Sequence, residues 1–130
     1  MELTVYTSKP YTIRIERGCL QKTGSFCREL FPKSIRTVIV SDSHVFPLYG
    51  ESVLSSLQEA GFAADSFVFP AGEEHKQLST FENILLFLAE KRLTRTDFII
   101  ALGGGVTGDM AGFAVACYLR GIPFVQIPTS

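Results

Sequence analysis

The sequence has no apolar run approaching the roughly 18–20 residues that a bilayer-crossing helix needs. Its opening, Met1-Glu2-Leu3-Thr4-Val5-Tyr6, lacks the basic start and apolar block of a secretory leader. Neither sign of charge is in excess: 12 Lys and Arg stand against 13 Asp and Glu, for a formal net charge of −1. That balance argues against a surface built for nucleic acid. Two histidines and three cysteines, with no CxxC or HxxxH spacing, leave no complete metal site to be expected in this chain. Together these absences make a cytoplasmic location the default, with neither membrane nor nucleic acid as partner. Cys19, Cys27 and Cys117 read as reduced, structural thiols. Cys117 lies in an apolar run and is expected to be a small buried hydrophobe.

What is present suffices for one domain with a real core: 130 residues, 46% of them hydrophobic. Leu3–Tyr6 and Tyr11–Glu16, separated by Ser8-Lys9-Pro10, predict an N-terminal hairpin. Gly18–Leu30 is a weaker helix signal. The β-branched run Thr37–Ser41 predicts a strand. From Pro47 to Ala60, Tyr49, Val53, Leu57 and Ala60 share one helical face, and Gly61 suits the stop. Ser66–Phe69 is a second short strand. Ser79-Thr80-Phe81-Glu82 has the capping-box pattern, opening a helix to about Arg92 with Leu78, Phe81, Leu85 and Leu88 on its apolar face. Phe98–Leu102 is apolar throughout, as a strand covered on both faces should be. Val106–Leu119 is apolar on nearly all sides and predicts a buried helix. Phe124–Ile127 is a last strand before Pro128.

Strands alternating with helices imply a Rossmann-like α/β fold, a mostly parallel sheet with helices on both faces behind the N-terminal β-hairpin. Such sheets bind ligands beyond the carboxyl ends of their strands. The chain stops there, at Pro128-Thr129-Ser130, which suggests the N-terminal part of a longer enzyme.

The strongest chemical signal is Gly103-Gly104-Gly105-Val106-Thr107-Gly108-Asp109. It contains GxGxxG between a strand and a helix. Glycines admit an anion to the backbone, and the helix start offers unpaired N–H groups. A tight turn needing glycine conformations is the plainer alternative, and the strand-then-helix context favours phosphate. An ordinary dinucleotide fingerprint also wants an acid about 20 residues downstream. Pro128-Thr129-Ser130 supplies none, so Asp42 and Glu73, at other strand ends, are better acceptors for ribose hydroxyls. Pro70-Ala71-Gly72-Glu73-Glu74-His75-Lys76 is a polar strand-end loop, either a solvated turn or a site in which Glu73 accepts from sugar hydroxyls and Lys76 donates. His44 and His75 read as surface or supporting residues. Asp109 also suits a first helical turn electrostatically. Arg120 is either a cation at a helix end or a fork for an anionic substrate.

Taken together, PAGEEHK at 70–76, ALGGGVTGDMAGFAVACYLRG at 101–121 and FVQIPTS at 124–130 resemble the 3-dehydroquinate synthase family. The resemblance implies that residues 1–130 are an NAD-binding N-terminal domain. It implies a lyase of the shikimate pathway that converts 3-deoxy-arabino-heptulosonate 7-phosphate to 3-dehydroquinate and phosphate with catalytic NAD. In the family, NAD oxidises a ring hydroxyl, phosphate leaves by β-elimination, the ketone is reduced, and an aldol step closes the carbocycle. A divalent metal, zinc or cobalt, assists. Carried onto this chain, the resemblance places NAD contacts at Asp42, near the adenosine, and at Ala71, Gly72, Glu73, Glu74, His75, Lys76, Gly105, Val106, Thr107, Gly108, Asp109, Thr129 and Ser130. Arg120 resembles the arginine that reaches the substrate phosphate, across a homodimer. Catalytic residues and metal ligands (one Glu, two His) are expected beyond Ser130, and the domain alone is expected to be inactive. The alternatives are another sugar phosphate cyclase of the 2-deoxy-scyllo-inosose or valienone type, a metal-dependent polyol or alcohol dehydrogenase, and a stand-alone nucleotide-binding module.

Overall fold

Two antiparallel strands open the chain, β1 (Glu2–Val5) and β2 (Tyr11–Arg14), paired from Glu2 opposite Arg14 to Val5 opposite Tyr11. A computed structural model describes residues 1–7, 11–72, 74 and 77–129. Ser8, Lys9 and Pro10, expected to separate these strands, lie outside the described residues. A two-stranded ribbon is marginal by itself. This one is pinned by Arg14, which pairs with Glu2 at 3.2 Å and Glu29 at 3.5 Å and lies 4.1 Å over the Phe26 ring.

The remainder alternates as expected. A 3-10 turn at Leu20–Lys22 leads into α1 (Thr23–Leu30), then β3 (Arg36–Asp42). A wide π-type turn at Phe46–Gly50 precedes α2 (Glu51–Glu59), and Gly61, at φ +91°, stops it. Then follow β4 (Ala63–Phe69), α3 (Leu78–Glu90), β5 (Phe98–Gly103), α4 (Gly105–Cys117) and β6 (Phe124–Pro128). The four longer-range strands form one parallel sheet in the order β4-β3-β5-β6.

The period-2 alternation of the central strands explains the three layers. Val38, Val40, Ile99 and Ala101 pack against α3 and α4 with Ile84, Leu88, Met110 and Ala114. Ile39, Phe98, Ile100 and Leu102 point the other way, onto Cys27, Val53 and Leu57 of α1 and α2. Every residue of β5 is buried. Each such aliphatic side chain contributes about 1.5–3 kcal/mol of burial. In this apolar layer, burial pushes the Cys27 thiol up to about 12.

Asp97 braces the amino edge of the sheet. It is 1% exposed. Its Oδ1 accepts the N–H groups of Ile35 (3.1 Å) and Arg36 (2.9 Å) and the Ser34 hydroxyl (3.3 Å). Its Oδ2 accepts the Thr94 N–H (2.8 Å) and hydroxyl (3.2 Å). Burial pushes this carboxyl upward, but the combined bonds from Arg36, Thr94 and Ile35 outweigh burial and hold it below the usual carboxylate range.

Three expectations are corrected. The capping box does not form. α3 begins at Leu78 with Gln77 as its cap and no side-chain cap bond, so Ser79 is already inside the helix. That start turns Leu78 outward, 76% exposed, while Thr80, Ile84 and Leu88 face the core. Second, α4 is covered on one side only: Thr107, Met110, Ala111, Ala114 and Val115 are buried, but Phe113 is 59% exposed. Third, Cys117 is exposed, because it lies on that uncovered side.

Candidate functional site

From β3 the chain passes outward to β4 and then crosses back over the sheet to β5. The strand order therefore reverses between β3 and β5, and the crevice beyond their carboxyl ends is the expected ligand position. Asp42 ends β3, and Gly103 ends β5 beside it.

The glycine turn is built around Thr107. Gly103 has φ +153°, and a Cβ there would lie 2.8 Å from Thr107 Oγ1 and 3.0 Å from its Cβ. Only a residue without a Cβ lets the Thr107 side chain pack back onto the strand end. Gly108 allows a second close approach, since a Cβ would meet Gln126 Nε2 of β6 at 2.7 Å. Gly105 differs: nothing lies within 4 Å of where its Cβ would be. The first bond of α4 runs from the Gly108 N–H to the Gly104 carbonyl at 3.0 Å. The N–H groups of Gly105, Val106 and Thr107 precede that ladder and have no acceptor within the helix. Open space before unpaired N–H groups at the positive end of a helix fits a phosphate.

Asp42 is placed by its own loop. Oδ1 accepts the N–H groups of His44 at 2.9 Å and Val45 at 2.8 Å. Oδ2 faces the Thr107 hydroxyl at 3.4 Å. The half-buried carboxylate thus retains acceptor capacity at the switch point, as a ribose hydroxyl requires.

The other strand ends converge on this turn. The Thr129 N–H donates to the Gly103 carbonyl at 3.2 Å. The Ala71 N–H donates to Ser43 Oγ at 2.9 Å, and the Ser43 N–H donates to the Phe69 carbonyl at 2.8 Å. Ala71 therefore has no free N–H for a ligand. Gly72, at φ +124°, turns the loop, and a Cβ there would lie 2.6 Å from the Glu74 carboxylate. Glu73, His75, Lys76 and Ser130 lie outside the described residues.

Not every sequence candidate reaches the crevice by its side chain. Thr107 is 0% exposed, so its hydroxyl serves the protein interior. Asp109 lies on the outer side of α4, lining a shallow depression with Leu78, Phe81, Met110 and Phe113. Arg120 is exposed beyond the far end of α4, as the last residue of a short 3-10 turn at Tyr118–Arg120. Leu119 and Arg120 both adopt left-handed backbone, at φ 50° and 64°. Thirteen residues of α4 at 1.5 Å each put Arg120 about 20 Å from the glycine turn. Sequence reasoning missed Ser43 and Gln126. Neither carries a local signal, because each acts on a loop or helix distant in sequence.

A sequence profile of the 3-dehydroquinate synthase N-terminal family matches residues 66–130. A Streptococcus pneumoniae protein named 3-dehydroquinate synthase is 53% identical over 121 residues, 93% of this chain. The chain belongs to the 3-dehydroquinate synthase family. It spans about a third of the length of that relative, 34%. A crystal structure of 2-deoxy-scyllo-inosose synthase superposes with TM-score 0.89 at 24% identity, over 99% of this chain and 36% of its own. At that identity it shows the fold alone. The 2-epi-5-epi-valiolone synthase of Streptomyces hygroscopicus subsp. jinggangensis, with NAD+ and Zn2+ bound, superposes at 0.78 with 27% identity, over 98% of this chain and 35% of its own. This fold is thus shared with other cyclases.

Proposed function

We propose that this chain is the NAD-binding domain of a 3-dehydroquinate synthase, an enzyme that turns 3-deoxy-arabino-heptulosonate 7-phosphate into 3-dehydroquinate and phosphate. The 53% identity to a protein of that name over 93% of the chain carries the reading. It outweighs the 24–27% identities to cyclases with other products. A dehydrogenase remains the more distant relative: a glycerol dehydrogenase matches at 18%.

The residues fit NAD. The N–H groups of Gly105, Val106 and Thr107 bind the pyrophosphate. Asp42 accepts a ribose hydroxyl, and Gly72, Glu74, Gly108 and Thr129 border the cofactor, with Glu73, His75, Lys76 and Ser130 assigned beside them by resemblance. Bound there, NAD supplies reversible hydride acceptance, which lets a substrate hydroxyl be oxidised and later restored. The chain's part is to hold the cofactor rigidly at one sheet edge and keep its phosphates out of water.

Among the described residues no group of three or more His, Cys, Asp or Glu could hold a metal ion. The described residues do not fit a divalent metal. The proposed zinc or cobalt ligands belong to the rest of the enzyme. Arg120 lies at the opposite edge of the sheet from the glycine turn, so it serves the substrate phosphate of a second copy in a homodimer. No helix among the described residues is long and apolar enough to cross a membrane; a cytoplasmic location is part of the proposal.

The test is phosphate release by the complete enzyme from the seven-carbon substrate, with and without NAD. NAD-dependent release with 3-dehydroquinate as product is expected. Release only from a six-carbon sugar phosphate, or NADH accumulation in step with product, overturns the reading.

A further inference from the structure

Thr107 is fully buried, yet it belongs to the turn proposed to hold NAD phosphates. Its side chain touches two strand ends. It occupies the space that a Cβ on Gly103 would need, and its hydroxyl donates toward Asp42 Oδ2 at 3.4 Å, across 65 residues of sequence. The backbone bonds from His44 and Val45 engage only Oδ1. Rotation of a carboxylate about its Cβ–Cγ bond is soft. One oxygen held by two N–H groups fixes where the group sits, and a contact at the other oxygen sets its plane. At 3.4 Å the hydroxyl contact is long, so it orients the carboxylate more than it stabilises the fold.

We infer that Thr107 is a positioning residue: its hydroxyl sets the plane of the Asp42 carboxylate for the adenosine ribose, while its side chain as a whole packs against Gly103 and seats the glycine turn. The two ends of the dinucleotide site, diol acceptor and phosphate turn, are thereby held in one frame. This rests on the NAD reading above. Thr107 itself contacts the cofactor only through its N–H.

Calorimetry on the complete enzyme tests it, with NAD and its 2′-deoxyadenosine analogue as probes. Wild type should prefer NAD over the analogue by tenfold or more. Thr107→Val keeps the shape and loses the hydroxyl, so the ratio of the two affinities should fall to about twofold. Thr107→Ser keeps the hydroxyl and should retain the preference. A purely structural role would give the reverse order, with Val intact and Ser impaired, and that result overturns the inference. Should Thr107→Val fail to fold, Thr107→Ala replaces it, and an alanine variant that keeps the preference overturns the inference equally. A wild type that binds NAD without preferring it over the analogue sinks this inference alone. A wild type that binds no NAD sinks the functional reading and this inference with it.

Discussion

Ser43 Oγ accepts the Ala71 N–H at 2.9 Å and so ties the loop after β3 to the loop after β4. The contact is exposed, so its weight falls on loop placement more than on global stability. Ser43→Ala should leave the Ala71 N–H to water and loosen the chain at Ala71 and Gly72. NAD affinity of the complete enzyme should fall by about five- to tenfold, equivalent to roughly 1 kcal/mol for one hydrogen bond. Calorimetry checks this, and a melting temperature within about 2 °C of wild type would separate loop loosening from unfolding.

A Cβ at Gly105 would meet no atom within 4 Å, so Gly105→Val should leave the fold intact. The isopropyl group would occupy the space in front of the unpaired N–H groups, and NAD affinity should fall at least tenfold. Unchanged affinity in a folded variant removes the glycine turn from the site.

Arg120→Ala should lower kcat/KM for the phosphorylated substrate by about 1.5–3 kcal/mol, the value of a lost charged hydrogen bond. NAD affinity should hold, because Arg120 lies at the far end of α4. Mixing this variant with a subunit inactivated in the second domain should restore part of the activity if the arginine acts across a dimer.

Asp97→Ala removes the acceptor of three N–H groups and two hydroxyls and should destabilise the fold by about 2–4 kcal/mol. The sign of the pH effect follows from the depressed carboxyl. Its contribution is present above the carboxyl's unfolded value and is lost as pH falls through the lower folded value. Urea melts of wild type and variant should therefore converge toward acid pH.

Cys117 should react with a thiol reagent in the native protein at mildly alkaline pH, whereas Cys27 should stay silent until unfolding. Exposure of the first and burial of the second, with its thiol raised to about 12, set this order. Mass spectrometry of the labelled peptides reads it directly.

The alternation of strands and helices, the buried β5 and the glycine turn from β5 into α4 were legible in the chain itself. Each is a local property: hydrophobic period, strand-end glycines, and the backbone freedom glycine provides. The same local reading failed at Cys117 and Leu78. An apolar residue declares what it would gain by burial but not whether a neighbour arrives, and α4 has cover on one side only. The capping box at Ser79 failed because a one-residue shift in helix start, decided by packing, moves the serine inside. The contacts of Thr107 and Ser43 were decided only by the fold. Their partners, Asp42 and Ala71, are 65 and 28 residues away. Spacing along the chain cannot encode a contact created when β3, β4 and β5 line up with their carboxyl ends at one edge.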